Sequence, residues 1–207
     1  KRLRLSSIEV TELTPDLVET LVTNPKVCPH LHIPLQSGSD HILSRMNRPY
    51  TTREFAEVVN TLRLKLPGLA ITTDVIVGFP GEDAEDHKAS LEFARSMGFA
   101  GIHVFKYSPR TGTPAAGYHD QVTPATKEER SKEFLQLAEA SWQEYAQGFL
   151  GDTLEVLAEQ TVGENLWEGH TGNYLRVRFA STEELRGQIL GVKLVRLSKN
   201  YISGEDI

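Results

Sequence analysis

The chain has 207 residues, 39% of them hydrophobic and 24% charged, enough to bury one good core or two unequal ones. Its net charge of −6 gives no broad basic face for gripping nucleic acid, and no apolar run approaches the roughly 20 residues of a membrane-spanning helix. Cys28 is the only cysteine, which rules out an internal disulfide framework and any zinc or iron–sulfur site ligated by cysteines of this chain alone.

These totals lead us to expect a cytoplasmic protein of one large and one small domain, with Cys28 as a structural thiol and any RNA contact local. The opening Lys1-Arg2-Leu3-Arg4 is no signal peptide and runs straight into a strand, so the sequence is expected to be a piece of a longer protein.

Strand-like runs at 3–8, 31–35, 70–77 and 102–107 alternate with amphipathic helices, the pattern of a parallel sheet covered by helices. Thr14-Pro15 starts the first helix, whose apolar stripe is Leu17, Val18, Leu21 and Val22. Thr51 and Glu54 form a capping box ahead of Phe55, Val58, Val59, Leu62 and Leu66, and Pro67-Gly68 ends that helix. A third helix spans about 85–97 and stops at Gly98. Four βα units are visible, too few to close an eight-stranded barrel. From Thr123-Pro124 a long polar helix follows, with Thr126 and Glu129 as a capping box and Phe134, Ala138, Trp142, Tyr145 and Phe149 along one face. Glycine-separated alternating segments at 154–158, 174–179 and 189–197 then predict a small antiparallel barrel. The expected fold class is α/β, a partial parallel βα barrel followed by a small antiparallel β barrel, divided at 1–122, 123–147 and 148–207.

In parallel α/β folds, chemistry collects beyond the carboxyl ends of the strands. Here those ends are polar: Ser6-Ser7-Ile8-Glu9, then Gln36-Ser37-Gly38-Ser39-Asp40, then Asp74 through the Gly78-Phe79-Pro80-Gly81-Glu82 turn, then Tyr107-Ser108-Pro109-Arg110. Such a mouth suits a ligand carrying ribose, amino and carboxylate groups. Each loop by itself is equally a tight turn or a helix cap.

Taken together, His30-Leu31-His32-Ile33-Pro34-Leu35-Gln36-Ser37-Gly38-Ser39, Arg45-Met46-Asn47-Arg48-Pro49-Tyr50-Thr51 and the runs 73–82 and 107–116 resemble the radical S-adenosylmethionine methylthiotransferases, over nearly the whole chain. The resemblance implies the back part of such an enzyme: the later portion of its radical barrel, then a TRAM domain, a small β barrel that binds RNA. The cluster cysteines of these enzymes lie in the front part, which accounts for the single cysteine. The wording of 30–40, with Gly172-Asn173-Tyr174, looks most like the branch that acts on threonylcarbamoyladenosine beside the tRNA anticodon. Isopentenyladenosine in tRNA and an aspartate of a ribosomal protein are the alternative substrates of close relatives.

The implied cofactors are S-adenosylmethionine and 4Fe-4S clusters whose ligands are not in this chain; the implied partners are tRNA, a sulfur donor and an electron donor, with no membrane. The implied reaction is reductive cleavage of S-adenosylmethionine, hydrogen abstraction by the resulting radical, and sulfur insertion and methylation at carbon 2 of adenine. The 207 residues themselves are expected to be inactive, binding no iron. By motif match, Glu9, Gln36 and Ser37 are assigned to polar groups of the cofactor, and Val77 and Gly78 to its adenine, with Phe105 and Tyr107 on the same wall. Arg48 and Arg110 are placed near a carboxylate or phosphate, Arg48 with the cofactor and Arg110 with RNA. Asp74 is a further cofactor candidate for which a structural role serves equally. No residue is assigned as catalytic or as a metal ligand. Val10, where the family commonly has proline, and Asp83, where threonine is usual, leave the loop shapes open.

Two other classes compete. His30, His32, Asp74 and His103 have the chemistry of a hydrolytic metal site, but His32 and His103 precede Gln36 and Tyr107 by four residues, roughly 13 Å below the mouth at about 3.3 Å per residue. A stand-alone RNA-binding module is the second. From Gly148 onward six Lys and Arg face nine Asp and Glu, net −3, and the local patch expected to contact RNA is Tyr174, Arg176 and Arg178 on one strand face.

Overall fold

The computed structural model describes residues 1–206. Its first layer is a parallel sheet in the order β1 (His30–His32), β2 (Ala70–Val77) and β3 (Gly101–Lys106). Helices α1 (Pro15–Thr23), α2 (Asp40–Arg45), α3 (Thr52–Lys65) and α4 (Ala84–Ser96) occupy the connections, as a crossover between parallel strands requires.

The local signals act where the sequence puts them. Thr14 accepts from the Leu17 amide and Thr51 closes its capping box with Glu54, while Asp83 does the same with Asp86 to start α4. Val18, Leu21, Phe55, Val59 and Leu62 are buried together with Ile71, Val75 and Val77 of β2.

Two strands are shorter than expected, and proline explains both. The run 3–8 lies parallel to its neighbour but makes isolated bridges at Leu3–Val27 and Ser7–His32, because Pro29 in the partner segment has no amide to donate. Pro34 likewise ends β1 at His32, after which the Leu35 amide donates to Thr73 Oγ1 instead of a backbone carbonyl. Three strands and a bridged fourth segment therefore stand where four strands were expected.

Helix α5 (Pro124–Gln147) starts at Thr123, which accepts from the Thr126 amide, so the expected Thr126–Glu129 box is replaced by a cap three residues earlier. Phe134 and Leu137 sit in the core under the sheet, whereas Ala146, Trp142 and Tyr145 pack into a second core. One helix thus joins both.

That second core fills a closed barrel, β4-β5-β6-β8-β7, of β4 (Thr153–Gly163), β5 (Leu166–Thr171), β6 (Arg176–Ala180), β7 (Ile189–Leu197) and β8 (Ile202–Asp206). Its ladders are antiparallel except β6–β8, which is parallel and closes it. Trp167 is the largest fully buried side chain in it. Gly169 is required there, since a Cβ would collide with the Leu157 carbonyl. Arg4 ties the start of the chain to the barrel, donating to the carbonyls of Thr171 at 3.1 Å and Gly172 at 3.2 Å.

Candidate functional site

Alternation along β2 sends Val75 and Val77 into the helix-covered core and Asp74 and Ile76 to the opposite face. On that face a cavity of about 650 Å³ opens beyond the carboxyl ends of β2 and β3. Gln36, Arg48, Asp74, Phe105, Tyr107 and Arg110 all line it. Six residues scattered over 75 positions of sequence therefore meet at one mouth.

Glu9 stands beside it, its Oε1 accepting from Arg48 Nη1 at 2.9 Å. The others assigned from sequence lie elsewhere. Ser37 is buried against α4, its Oγ 3.0 Å from Ser90 Oγ. Val77 is in the core. Gly78, at φ 71°, passes under the Lys127 side chain, where a Cβ would clash, and its amide donates to Glu82 Oε1 at 3.0 Å. Phe79 and Tyr118 also line the cavity and were not singled out; Phe79 meets the Tyr107 ring edge-on at 5.0 Å. Nothing local in the sequence marks them, since both arrive through the fold of their loops.

Three features give the cavity the character of a binding site. Gln36 holds φ 67°, a left-handed conformation that an L-residue adopts at a cost, next to its functional amide. Tyr107 Oη and Arg48 Nε are buried without a hydrogen-bond partner among the described residues. Both belong to residues that line the cavity. The loop is held from behind by Glu82, whose carboxyl is pushed up by burial against the opposing pull of the Gly78 amide and Arg130. Lys127, lowered by burial, donates to the Tyr107 carbonyl at 3.0 Å.

Below the cavity, His32 Nε2 lies 3.3 Å from Asp74 Oδ1, and the His103 ring joins them. His30 is directed away, its Nε2 3.0 Å from Thr72 Oγ1, and burial, with Arg4, His32, His103 and His170 nearby, pushes it down to about 4. Neither His32 nor His103 lines the cavity, in keeping with their spacing, although the parallel register sets His103 directly beside the cavity-lining Asp74.

The expected RNA patch is not one strand face. Tyr174 precedes β6 at φ 68°, and its ring is surrounded by His30 at 4.4 Å, His170 at 4.9 Å and the Arg4 guanidinium at 4.6 Å. Arg178 donates to Glu168 at 2.8 Å and covers the Tyr201 ring. Arg176 makes no ion pair among the described residues and lines a cavity of about 430 Å³ between sheet and barrel.

The Radical SAM superfamily profile matches residues 2–94. The "Threonylcarbamoyladenosine tRNA methylthiotransferase MtaB" of Bacillus subtilis is 43% identical over 99% of this chain and 46% of its own length. The chain is thus similar to radical SAM methylthiotransferases over nearly all of its length. The Thermotoga maritima protein of the same name is 38% identical over 97% of this chain. A "tRNA-2-methylthio-N(6)-dimethylallyladenosine synthase" of Lachnoclostridium phytofermentans is 35% identical over 99% of it and 45% of its own length. The chain spans less than half the length of these curated relatives. Among solved structures, coproporphyrinogen III oxidase (HemN) of Escherichia coli, a radical SAM enzyme, superposes with a TM-score of 0.56 at 17% identity, covering 68% of this chain and 32% of its own, a likeness of fold.

Proposed function

We propose that the chain is the cofactor-cradling and RNA-facing part of a tRNA methylthiotransferase that acts on N6-threonylcarbamoyladenosine beside the anticodon. The observation that carries this reading is the convergence of Gln36, Arg48, Asp74 and Tyr107 on one cavity in a chain whose Bacillus subtilis relative bears that activity in its name.

The residues present fit S-adenosylmethionine. Arg48 offers a guanidinium to its carboxylate, Asp74 accepts from an ammonium or a ribose hydroxyl, and the Gln36 amide can do either. Phe105, half exposed, and Tyr107 supply apolar faces for the adenine, and Tyr107 Oη a polar contact at its edge. Bound at a cysteine-held 4Fe-4S cluster, the cofactor supplies the radical that activates the target carbon. Those cysteines must come from outside these 207 residues, which hold Cys28 alone. The domain roles follow: 1–122 for the cofactor wall, 123–147 as the joining helix, and 148–207 as a TRAM-like barrel that docks tRNA. A sulfur donor and an electron donor complete the reaction. No helix among the described residues is long and apolar enough to cross a membrane, in keeping with a cytoplasmic tRNA substrate.

The test is nucleoside mass spectrometry of tRNA from cells in which the gene carrying this sequence is deleted. Loss of the methylthio form of threonylcarbamoyladenosine is expected. Loss of methylthio-dimethylallyladenosine instead would move the assignment to the other branch, and an unchanged profile would overturn the reading.

A further inference from the structure

Three adjacent strands each contribute one metal-ligating side chain to the same face of the sheet: His32 from β1, Asp74 from β2 and His103 from β3. The register makes this possible. Asp74 pairs directly with His103, and His32 pairs with Thr72, two residues from Asp74 and on its face. One ligand atom from each lies within 4.8 Å of the other two.

We propose that His32, Asp74 and His103 bind a borderline divalent transition-metal ion of the Zn²⁺ or Co²⁺ class, as a site distinct from the cluster chemistry of the family. Two imidazoles and a carboxylate are a donor set that such ions prefer, and three protein ligands leave a position open. The distances agree. Two ligand atoms about 2.05 Å from a tetrahedral ion lie about 3.3 Å apart, and His32 Nε2 and Asp74 Oδ1 are separated by 3.3 Å. That spacing is long for a charge-assisted hydrogen bond, which closes to about 2.8 Å. Closing the third side needs movement of His103 alone, an exposed side chain that engages no hydrogen-bond partner among the described residues.

The surroundings prepare His32 for this role. Its Nδ1 lies 3.0 Å from Thr72 Oγ1, which leaves Nε2, the nitrogen facing Asp74, free to coordinate. Metal-bound histidines are held in this way by a partner on the other ring nitrogen. His30 reaches the same hydroxyl and takes no part in the ligand set. The site also gives Asp74 a second role, as a ligand at the floor of the cavity it lines.

The experiment titrates the purified protein with Co²⁺ alone, reading the visible ligand-field absorption, and then measures Zn²⁺ by competition with a chromophoric chelator. One equivalent is expected. His32→Ala and His103→Ala each abolish the absorption, while His30→Gln and His119→Ala leave it in place. Thr72→Val, which folds around a side chain of the same shape, weakens binding about 10- to 100-fold through loss of the His32 partner. Absence of saturable one-to-one binding, or binding that survives His32→Ala with His103→Ala, would overturn the proposal, and neither result bears on the tRNA modification.

Discussion

Arg130 Nη1 donates to Glu82 Oε1 at 2.7 Å and to the Glu82 carbonyl at 3.0 Å, joining α5 to the turn beneath the cavity. Glu82 has 2% of its side chain exposed. Removing its partner leaves a buried carboxylate with the Gly78 amide as its remaining hydrogen-bond donor, so Arg130→Ala should lower stability by about 3–5 kcal/mol in urea unfolding near neutral pH. The sign of the pH dependence follows from burial, which raises the Glu82 carboxyl in the fold. A carboxyl raised on folding destabilises increasingly as pH climbs from its unfolded value through its folded one, and deleting Arg130 raises it further. The loss in Arg130→Ala should therefore be smallest near about pH 4 and greatest near about pH 7.5. Adding Glu82→Gln should flatten that profile.

Gln36 contributes its amide from a left-handed backbone conformation. Gln36→Gly should relieve strain of order 1 kcal/mol and leave the melting temperature unchanged or higher. It should also weaken S-adenosylmethionine binding in the cluster-loaded full-length enzyme. Gln36→Asn, an amide that tolerates this backbone, should retain more affinity than glycine. Equal affinities for the two variants, measured by equilibrium dialysis, would remove Gln36 from the cofactor contacts.

The same loop depends on Gly38. A Cβ there would lie 2.7 Å from the Ser90 Cα and 2.9 Å from the Phe93 Cβ, and the Gly38 amide already donates to Ser90 Oγ at 3.0 Å. The Ser90 contacts are backbone and the Phe93 contact is the root of its side chain, so none is a flexible end able to yield. Gly38→Ala should cost about 1–3 kcal/mol and, by displacing the loop, reduce cofactor affinity as well. Ser37→Ala, which removes one hydroxyl from the Ser90 contact, should disturb the fold far less.

How far the sequence speaks depends on how local each cause is. Caps such as Thr14 and Thr51, and the stripe Phe55, Val59 and Leu62, are written within one helical turn and fold as read. The mouth was legible because strand ends carry chemistry in parallel folds, and five of the nine residues assigned to the cofactor line its cavity. What escaped depends on partners far along the chain. Strand β5 hides its period because Glu168, on the face opposite the core residue Trp167, is covered and neutralised by Arg178 and because Gly169 makes room for the Leu157 carbonyl. The spacing of His32 and His103 gave depth along each strand, whereas their convergence on Asp74 is set by interstrand register. Tyr174 looked free on a strand face, but the turn at its left-handed φ swings it onto His30, His170 and Arg4.

The two arginines of β6 separate a structural role from an RNA-binding one. Arg178 neutralises Glu168, whose carboxyl stays low through the Arg178 and Gln160 hydrogen bonds although burial opposes them. Arg178→Ala should thus destabilise the barrel by about 1–3 kcal/mol whether or not RNA is present. Arg176 has no such duty, and Arg110 lines the mouth across the molecule. In filter binding of tRNA over a range of salt, Arg176→Glu and Arg110→Glu should each weaken affinity, and each lost phosphate contact should reduce the salt slope by about 1. Melting temperatures should stay close to that of the unmodified chain. Unchanged affinity and slope in both variants would leave the barrel without its proposed RNA contact at Arg176 and the mouth without its own at Arg110.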